Sequence, residues 1–463
     1  MLPTDFQIQM QQLLGPEEAR LLCDALTQSV APVSVRLNAS KPSSSLPAAQ
    51  RHEVPWCAQG RYLAERPAFA FDPLWHAGCY YVQEASSMFV EQAYHTLAAA
   101  GTPRRVLDLC AAPGGKSTLW RSLLPEGSLL VANEPVRARA QILAENLTKW
   151  GHPDVVCTSA YPDEFATLGS FFDVVAADVP CSGEGMFRKD AGAIAEWSAA
   201  AVEHCAERQW QIVSDVWPSL RQGGYLVYST CTFNRQENED NVWRICQELG
   251  AELVPIAVEP TWNIAGDTTG RGLPVYHFFP HRAQGEGLFL ALLRKTAEAP
   301  DLRTKPSKRF RRENRSPANF EGIREAGSWL LDHAQFELWP ADEAHLLAVR
   351  ATLSDEVKRI SQTVKTLTAG ILLAERKGRK LIPQHALALS SQLRPDAFPQ
   401  VELTRADALA YLRREALTLL PDAPRGYVVP TYEHQLLGFL NNLGARANNL
   451  YPSEWRLRST PDC

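Results

Sequence analysis

Between residues 105 and 295 short apolar runs alternate with longer segments of mixed character. Val106, Leu107, Leu109 and Cys110 are interrupted only by Asp108, the pattern of a strand buried on both faces of a parallel sheet. Further apolar runs at 128–133, 155–158, 172–177, 225–229 and 288–293 predict five more strands. The spacing predicts helices over 117–124, 137–150, 193–220 and 236–249, the second of them amphipathic. This alternation predicts an α/β fold with a Rossmann-like sheet, whose ligands bind beyond the carboxyl ends of the strands.

The flanks read differently. Pro16, Glu17 and Glu18 open a helix, residues 33–38 alternate like a half-buried strand, and 41–45 form a polar loop. Gln83 to Met88 caps another helix, so 1–90 is expected to be a small α+β domain, followed by the Rossmann-like domain over 91–296. Residues 303–315, RTKPSKRFRRENR, place a basic linker at 297–317, where a solvated run can also meet phosphates. The remainder, 318–463, is expected to be a separate region, with an intermediate part over 318–385 and a further domain over 386–463. Short strands and turns are expected near 367–373 and 381–387, a helix over 407–415, and strands at 427–429 and 436–440. The tail at 448–458 mixes amides, Tyr451, Trp455 and arginines, which suits RNA and equally suits a strand closing a small barrel with its rings inside.

The length of 463 residues allows two to four domains, and a net charge of −5 confines any nucleic-acid surface to local patches. The N-terminus has no basic, then apolar, leader, and no apolar run is long enough for a membrane span. A cytoplasmic protein with mostly free thiols among its ten cysteines is therefore expected, and the absence of C-x-x-C argues against structural zinc.

The predicted topology brings the loop 110–116, Glu134, Asp178 to Cys181, and Cys231 to one edge of the sheet. Ala111, Ala112, Pro113, Gly114 and Gly115 are small enough for close backbone approach to a ligand. Gly114 to Ser117 nearly completes a phosphate-cradling P-loop, but Cys110 stands where its first glycine belongs. Glu134 suits ribose hydroxyls or, equally, a helix N-terminus. Most cysteines are small buried hydrophobes. Cys181 and Cys231 instead follow strand ends, and form a redox pair, a metal pair, or a nucleophile with a helper.

LDLCAAPGGKS, ADVPCSGEGMFRKD and LVYSTCTFNRQENEDNV resemble the cofactor loop and the two cysteine motifs of Sun/RsmF-type RNA cytosine-C5 methyltransferases. The resemblance extends to QEASSM, to PHRAQGEGLFLALLRK and to the C-terminal region, and covers nearly the whole chain. It implies S-adenosyl-L-methionine as cofactor, a C-terminal PUA-like RNA-binding region, and small-subunit (16S) ribosomal RNA, free or in the assembling subunit, as substrate of a monomeric enzyme. By resemblance, Cys231 is the nucleophile that adds to cytosine C6, Cys181 assists proton removal and product release, and Asp178 bonds the pyrimidine edge. Cys110, Ala111, Ala112, Pro113, Gly114, Gly115, Lys116, Glu134, Arg139 and Asp178 fall at cofactor-binding positions, with no metal. Lys116, Arg188 and Lys189 are further candidates for phosphate or base contacts. The chain departs from the family after the third strand, where Thr158, Ser159, Ala160 and Tyr161 hold no adenine-contacting aspartate and Ser159 or Asp163 are the substitutes at hand. The alternatives are a non-catalytic RNA-binding assembly factor and, behind it, a P-loop ATPase.

Overall fold

The computed structural model describes residues 1–43, 50–298 and 322–459; the basic run 303–315 and part of the loop 41–45 lie outside these residues. Helices α1 (Thr4–Leu14) and α2 (Pro16–Gln28) precede a four-stranded antiparallel sheet of β1 (Val33–Leu37), β2 (Gln50–Val54), β3 (Cys57–Leu63) and, after α3 (Pro73–Ala77), β4 (Tyr80–Val82), in the order β2-β3-β1-β4. α4 (Val90–Ala100) leads into the catalytic core: β5 (Arg105–Asp108), α5 (Gly115–Leu123), β6 (Leu129–Asn133), α6 (Arg137–Trp150), β7 (Val155–Thr158), α7 (Pro162–Ala166) and β8 (Phe172–Asp178). Then come α8 (Ala191–Glu196), α9 (Ala199–Val216), β9 (Leu220–Thr230), α10 (Asn241–Leu249), β10 (Ala251–Leu253), β11 (Val275–Phe278) and β12 (Leu288–Lys295).

Strands β9, β8, β5, β6 and β7 run parallel, and their side chains alternate between two cores. Val106, Leu130, Val174 and Val227 enter one; Leu107, Val131, Val175 and Leu226 enter the other, all at most 2% exposed. Burial on both faces is what the near-continuous apolar runs require. The expected single helix over 193–220 is instead α8 and α9, because Ser198 leaves helical geometry and its Oγ accepts from Ala201 N at 3.1 Å. β9 starts at Leu220 rather than 225, since Gly223 and Gly224 form a bulge instead of a loop: a Cβ on Gly224 would lie 2.9 Å from the Asp173 carbonyl.

The C-terminal region contains α11 (Ile323–Gly327), β13 (Phe336–Pro340), β14 (His345–Arg350), α12 (Ser354–Thr363), β15 (Thr366–Ala369), β16 (Ile371–Lys377), β17 (Lys380–Pro383) and α13 (His385–Leu389). It ends with β18 (Gln400–Glu402), α14 (Arg405–Leu412), β19 (Gly426–Tyr432), β20 (Gln435–Leu436), β21 (Leu440–Asn442) and β22 (Ala447–Asn449). It is not the separate region that its sequence position suggests. β15 pairs antiparallel with β7, Ala369 opposite Val156, and extends the catalytic sheet to nine strands in the path β10-β12-β9-β8-β5-β6-β7-β15, with β11 on β12. Val349, Leu353, Val357 and Ile360 join the catalytic core, and Arg350 Nε donates to buried Asp154 Oδ1 at 2.7 Å. A boundary at 385 also cuts through one cluster, which holds Leu346, Leu373, Leu387 and Phe439 together.

The two ends of the chain share a further core, in which Val35, Leu74 and Tyr80 pack with Leu409, Tyr411 and Tyr451. Tyr451 is buried and Trp455 half-buried, its ring against His385, so the aromatic residues of the tail are packing residues while Arg456 and Arg458 stay exposed. The strand expected over 436–440 is split into β20 and β21 at Gly438, whose φ of 145° belongs to glycine. No helix among the described residues is long and apolar enough to cross a membrane.

Candidate active site

Every strand of the parallel group delivers its chemistry-bearing residues to the same edge. β5 ends in Asp108 and the loop 109–114, and Gly114, at φ 118°, turns the chain into α5. β8 ends at Asp178 and is followed by Cys181, while β9 ends at Thr230 and is followed by Cys231. Since Asp178 and Ser229 are paired across the parallel strands, the two cysteine loops start side by side. The two sulfur atoms stand 3.2 Å apart.

A cleft of about 380 Å³ opens here, within the size range of small-molecule sites. Its wall includes Asp108, Cys110, Ala111, Ala112, Pro113, Gly115, Lys116, Asp178 and Cys231. Cys181 reaches it through Cys231. Gly114 supports the loop from behind, where a Cβ would press on Leu143 at 3.3 Å. Glu134 and Arg139 lie beside the cleft rather than in its wall: Glu134 Oε1 accepts from Val136 N at 3.0 Å, Oε2 is 3.4 Å from Arg139 Nη2, and that guanidinium also donates to the Ala112 carbonyl at 3.2 Å. Ser159 Oγ is engaged with the Pro135 carbonyl at 3.3 Å, and Asp163 is exposed. Arg188 bonds Ser29 Oγ and the Gly285 carbonyl, and Lys189 pairs with Glu286.

The electrostatics separate the groups. Asp178 Oδ2 pairs with Lys116 Nζ at 2.9 Å while its Oδ1 accepts from Ser229 Oγ at 2.8 Å. Burial opposes the charge on Lys116, but Asp178 and then Asp108 outweigh it and hold the ammonium above its ordinary range. Burial pushes Asp108 up to about 7, against the Ser117 hydroxyl that donates to it at 2.6 Å. The hydrogen bond to Cys231, together with burial, drives the Cys181 thiol well above its usual value, and burial does the same to Cys110. Two thiols at this distance share an S–H···S hydrogen bond in which either sulfur can be the donor.

Sequence reasoning missed the walls contributed by the N-terminal sheet and by the segments after β8 and leading into β12. Tyr81, Gln83, Glu84 and Ser87 line one side of the cleft, and Met186, Glu286 and Leu288 another. Glu84 accepts from Ser86 N, Ser87 N and Glu286 N, each at 2.8 Å, and so ties both walls together. Buried Arg36, on β1, bonds Gln83 Oε1 at 2.8 Å and Thr118 Oγ1 at 2.6 Å, pinning the N-terminal sheet to the start of α5. QEASSM and QGEGLFL were the available signals, visible as family-like stretches without a role.

Comparison with known proteins finds matches to three segments of the chain. The family description "16S rRNA methyltransferase RsmB/F" matches residues 96–294, "N-terminal domain of 16S rRNA methyltransferase RsmF" matches 2–85, and "Methyltransferase RsmF PUA domain" matches 398–457. Ribosomal RNA small subunit methyltransferase F of Erwinia tasmaniensis is 31% identical over 474 aligned residues, covering 98% of this chain and 96% of that one. Among solved structures, a methyltransferase homolog from Pyrococcus horikoshii is 25% identical with a TM-score of 0.52, covering 62% of this chain and 93% of that one. NSun6 from Pyrococcus horikoshii with SFG has the same fold, at 21% identity and a TM-score of 0.54, covering 64% and 99%. These matches cover the N-terminal, methyltransferase and PUA segments over nearly the full length, and the chain belongs to the RsmF family of 16S rRNA methyltransferases.

Proposed function

We propose that the protein methylates carbon 5 of cytosine in small-subunit ribosomal RNA, with S-adenosyl-L-methionine as methyl donor. The observation that carries this reading is the pair of thiols, 3.2 Å apart, on the cleft that the loop 110–116 also lines. The size of that cleft, its small-residue wall and the carboxylate and arginine beside it suit a nucleoside-bearing cofactor, whose electrophilic methyl group is the chemistry it supplies. Cys110 in place of a first glycine argues against a P-loop.

Carbon 5 of cytosine is too weak a nucleophile to attack a methyl sulfonium unaided. The Cys231 thiolate adds to C6, and the electron pair of the C5–C6 double bond becomes available at C5 to take the methyl group, whose bond to the donor's sulfonium would break with its electron pair left on that sulfur. A base then takes the C5 proton, the double bond re-forms, and the C6–sulfur bond breaks to return the Cys231 thiolate. Cys181 donates its hydrogen bond to Cys231 and assists the proton removal and release. Asp178, oriented by Lys116 and Ser229, accepts from the exocyclic amine or protonated N3 edge of the cytosine. The loop 110–116, with Glu134 and Arg139 beside it, holds the cofactor.

Incubation with ribosomal RNA and methyl-labelled cofactor is expected to yield 5-methylcytosine. Cys231→Ala abolishes the product, whereas Cys181→Ala lets a covalent protein–RNA adduct accumulate. Full activity in Cys231→Ala refutes the assignment.

A further inference from the structure

Beneath the two thiols lies a polar cluster that the mechanism above does not use. Glu184, in the Cys181 loop, and Glu237, just past the Cys231 loop, are both fully buried, as are Asn234 and Gln209. The carboxylate of each reaches across to the other cysteine's loop. Glu184 Oε2 accepts from Phe233 N at 2.6 Å and Asn234 N at 3.1 Å; its Oε1 accepts from Trp197 Nε1 at 3.1 Å. Glu237 Oε2 accepts in return from Ser182 N at 3.0 Å and from Gln209 Nε2 at 2.6 Å, and Gln209 also donates to the Pro180 carbonyl. Asn234 Nδ2 joins the two, 3.1 Å from Glu184 Oε1 and 2.7 Å from Glu237 Oε1. Between the loops, Ser182 Oγ meets Thr232 Oγ1 at 3.0 Å and Gly185 N donates to the Cys231 carbonyl at 2.7 Å.

Among the described residues, every donor to the two carboxylates is a neutral N–H or hydroxyl group. A buried carboxylate without a cation is costly, and the cost is recovered only when its lone pairs are filled. The arrangement therefore tolerates one relative placement of the loops: sliding either strips backbone N–H donors from a buried carboxyl group. We propose that Glu184 and Glu237 are positioning residues, a reciprocal clamp that holds Cys181 and Cys231 at hydrogen-bond distance for methyl transfer. The inference rests on the cysteine roles assigned above and concerns the geometry of the sulfurs rather than which of them attacks.

Glu184→Gln and Glu237→Gln keep the shape but turn an amide N–H₂ toward existing N–H donors, and Asn234→Ala removes the link between the carboxylates together with the bonds of Asn234 to Thr232 Oγ1 and Glu237 N. Phenylarsine oxide, which bridges two thiols only at close range, probes the sulfur geometry directly in the full-length chain. Peptide mass mapping reads the Cys181–Cys231 bridge. Each variant that folds is expected to lose on the order of tenfold or more in bridging rate and in kcat, the usual sensitivity to a misplacement near one ångström, with KM for the cofactor unchanged. Wild-type bridging in a folded variant overturns the clamp whatever its activity, and lost bridging with intact kcat overturns its part in the reaction. If no variant folds, hydrogen exchange on the wild-type chain decides: core-level protection is expected at Ser182, Phe233 and Asn234 amides, and rapid exchange there overturns the proposal. An active Cys231→Ala would instead refute the nucleophile assignment and leave the bridging result standing.

Discussion

Asp108 makes the stability of the catalytic core depend on pH in a calculable way. Its side chain is buried at the end of β5 and takes one hydrogen bond, from Ser117. Burial raises its pKa from 3.8 to about 7, with Asp178 adding to the rise and Lys116 opposing it. The folded chain therefore holds a proton that the unfolded chain has released throughout the window from pH 3.8 to about 7. Stability is greatest below that window and falls as pH rises through it. At about 1.4 kcal/mol per unit, the full loss is about 4 kcal/mol, of which about 3 kcal/mol falls between roughly pH 5 and pH 8. Asp108→Asn keeps an acceptor for the Ser117 hydroxyl and cannot ionise. Urea unfolding followed by circular dichroism, compared between wild type and variant, isolates this one group because all other titrations cancel. The variant is expected to gain about 3 kcal/mol on the wild type between roughly pH 5 and pH 8. A difference that is the same at both pH values, within about 0.5 kcal/mol, refutes the account.

Two other perturbations test the fold around the site. Gly185→Ala places a Cβ 2.6 Å from the Cys231 carbonyl oxygen, so the two cysteine loops separate; on the order of tenfold lower methyl transfer is expected with cofactor affinity intact, measured by initial rates and calorimetry. Removal of residues 318–463 strips β15 from β7 and uncovers the core lined by Val349 and Ile360; a lowered melting temperature and weaker cofactor binding are expected, not merely weaker RNA binding, and a monodisperse truncated protein with wild-type cofactor affinity refutes this.

The parallel strands were legible because each is buried on both faces and so leaves an apolar run that turn residues bound. α6 and β7 begin and end where the pattern predicts, and the single-edge convergence follows from the topology. α1 escaped notice because no side chain caps its start at Pro3, and β11 because it lies inside a long irregular connection. β15 pairs with a strand more than two hundred positions earlier, which no local pattern encodes. The same holds for the site. The loop 110–116 and both cysteines carry local motifs, whereas Tyr81, Gln83 and Glu84 reach the cleft only through the packing of the N-terminal sheet. Glu184 and Glu237 look in sequence like solvated acids of two polar loops; only the fold shows them facing each other.

The strand borrowed from the C-terminal region has a consequence for how the protein is made. A ribosome releases β7 long before β15, so through the synthesis of the linker and β13 to α12 the growing sheet carries an open edge beside an uncovered apolar face. The core shared by Leu74 and Tyr411 waits longer still, for the last part of the chain to return to the first. The thiol cleft thus belongs to a body that closes only once β15 and the segment carrying Tyr411 and Tyr451 have been made, and a chain cut short before them leaves both seams open to other chains.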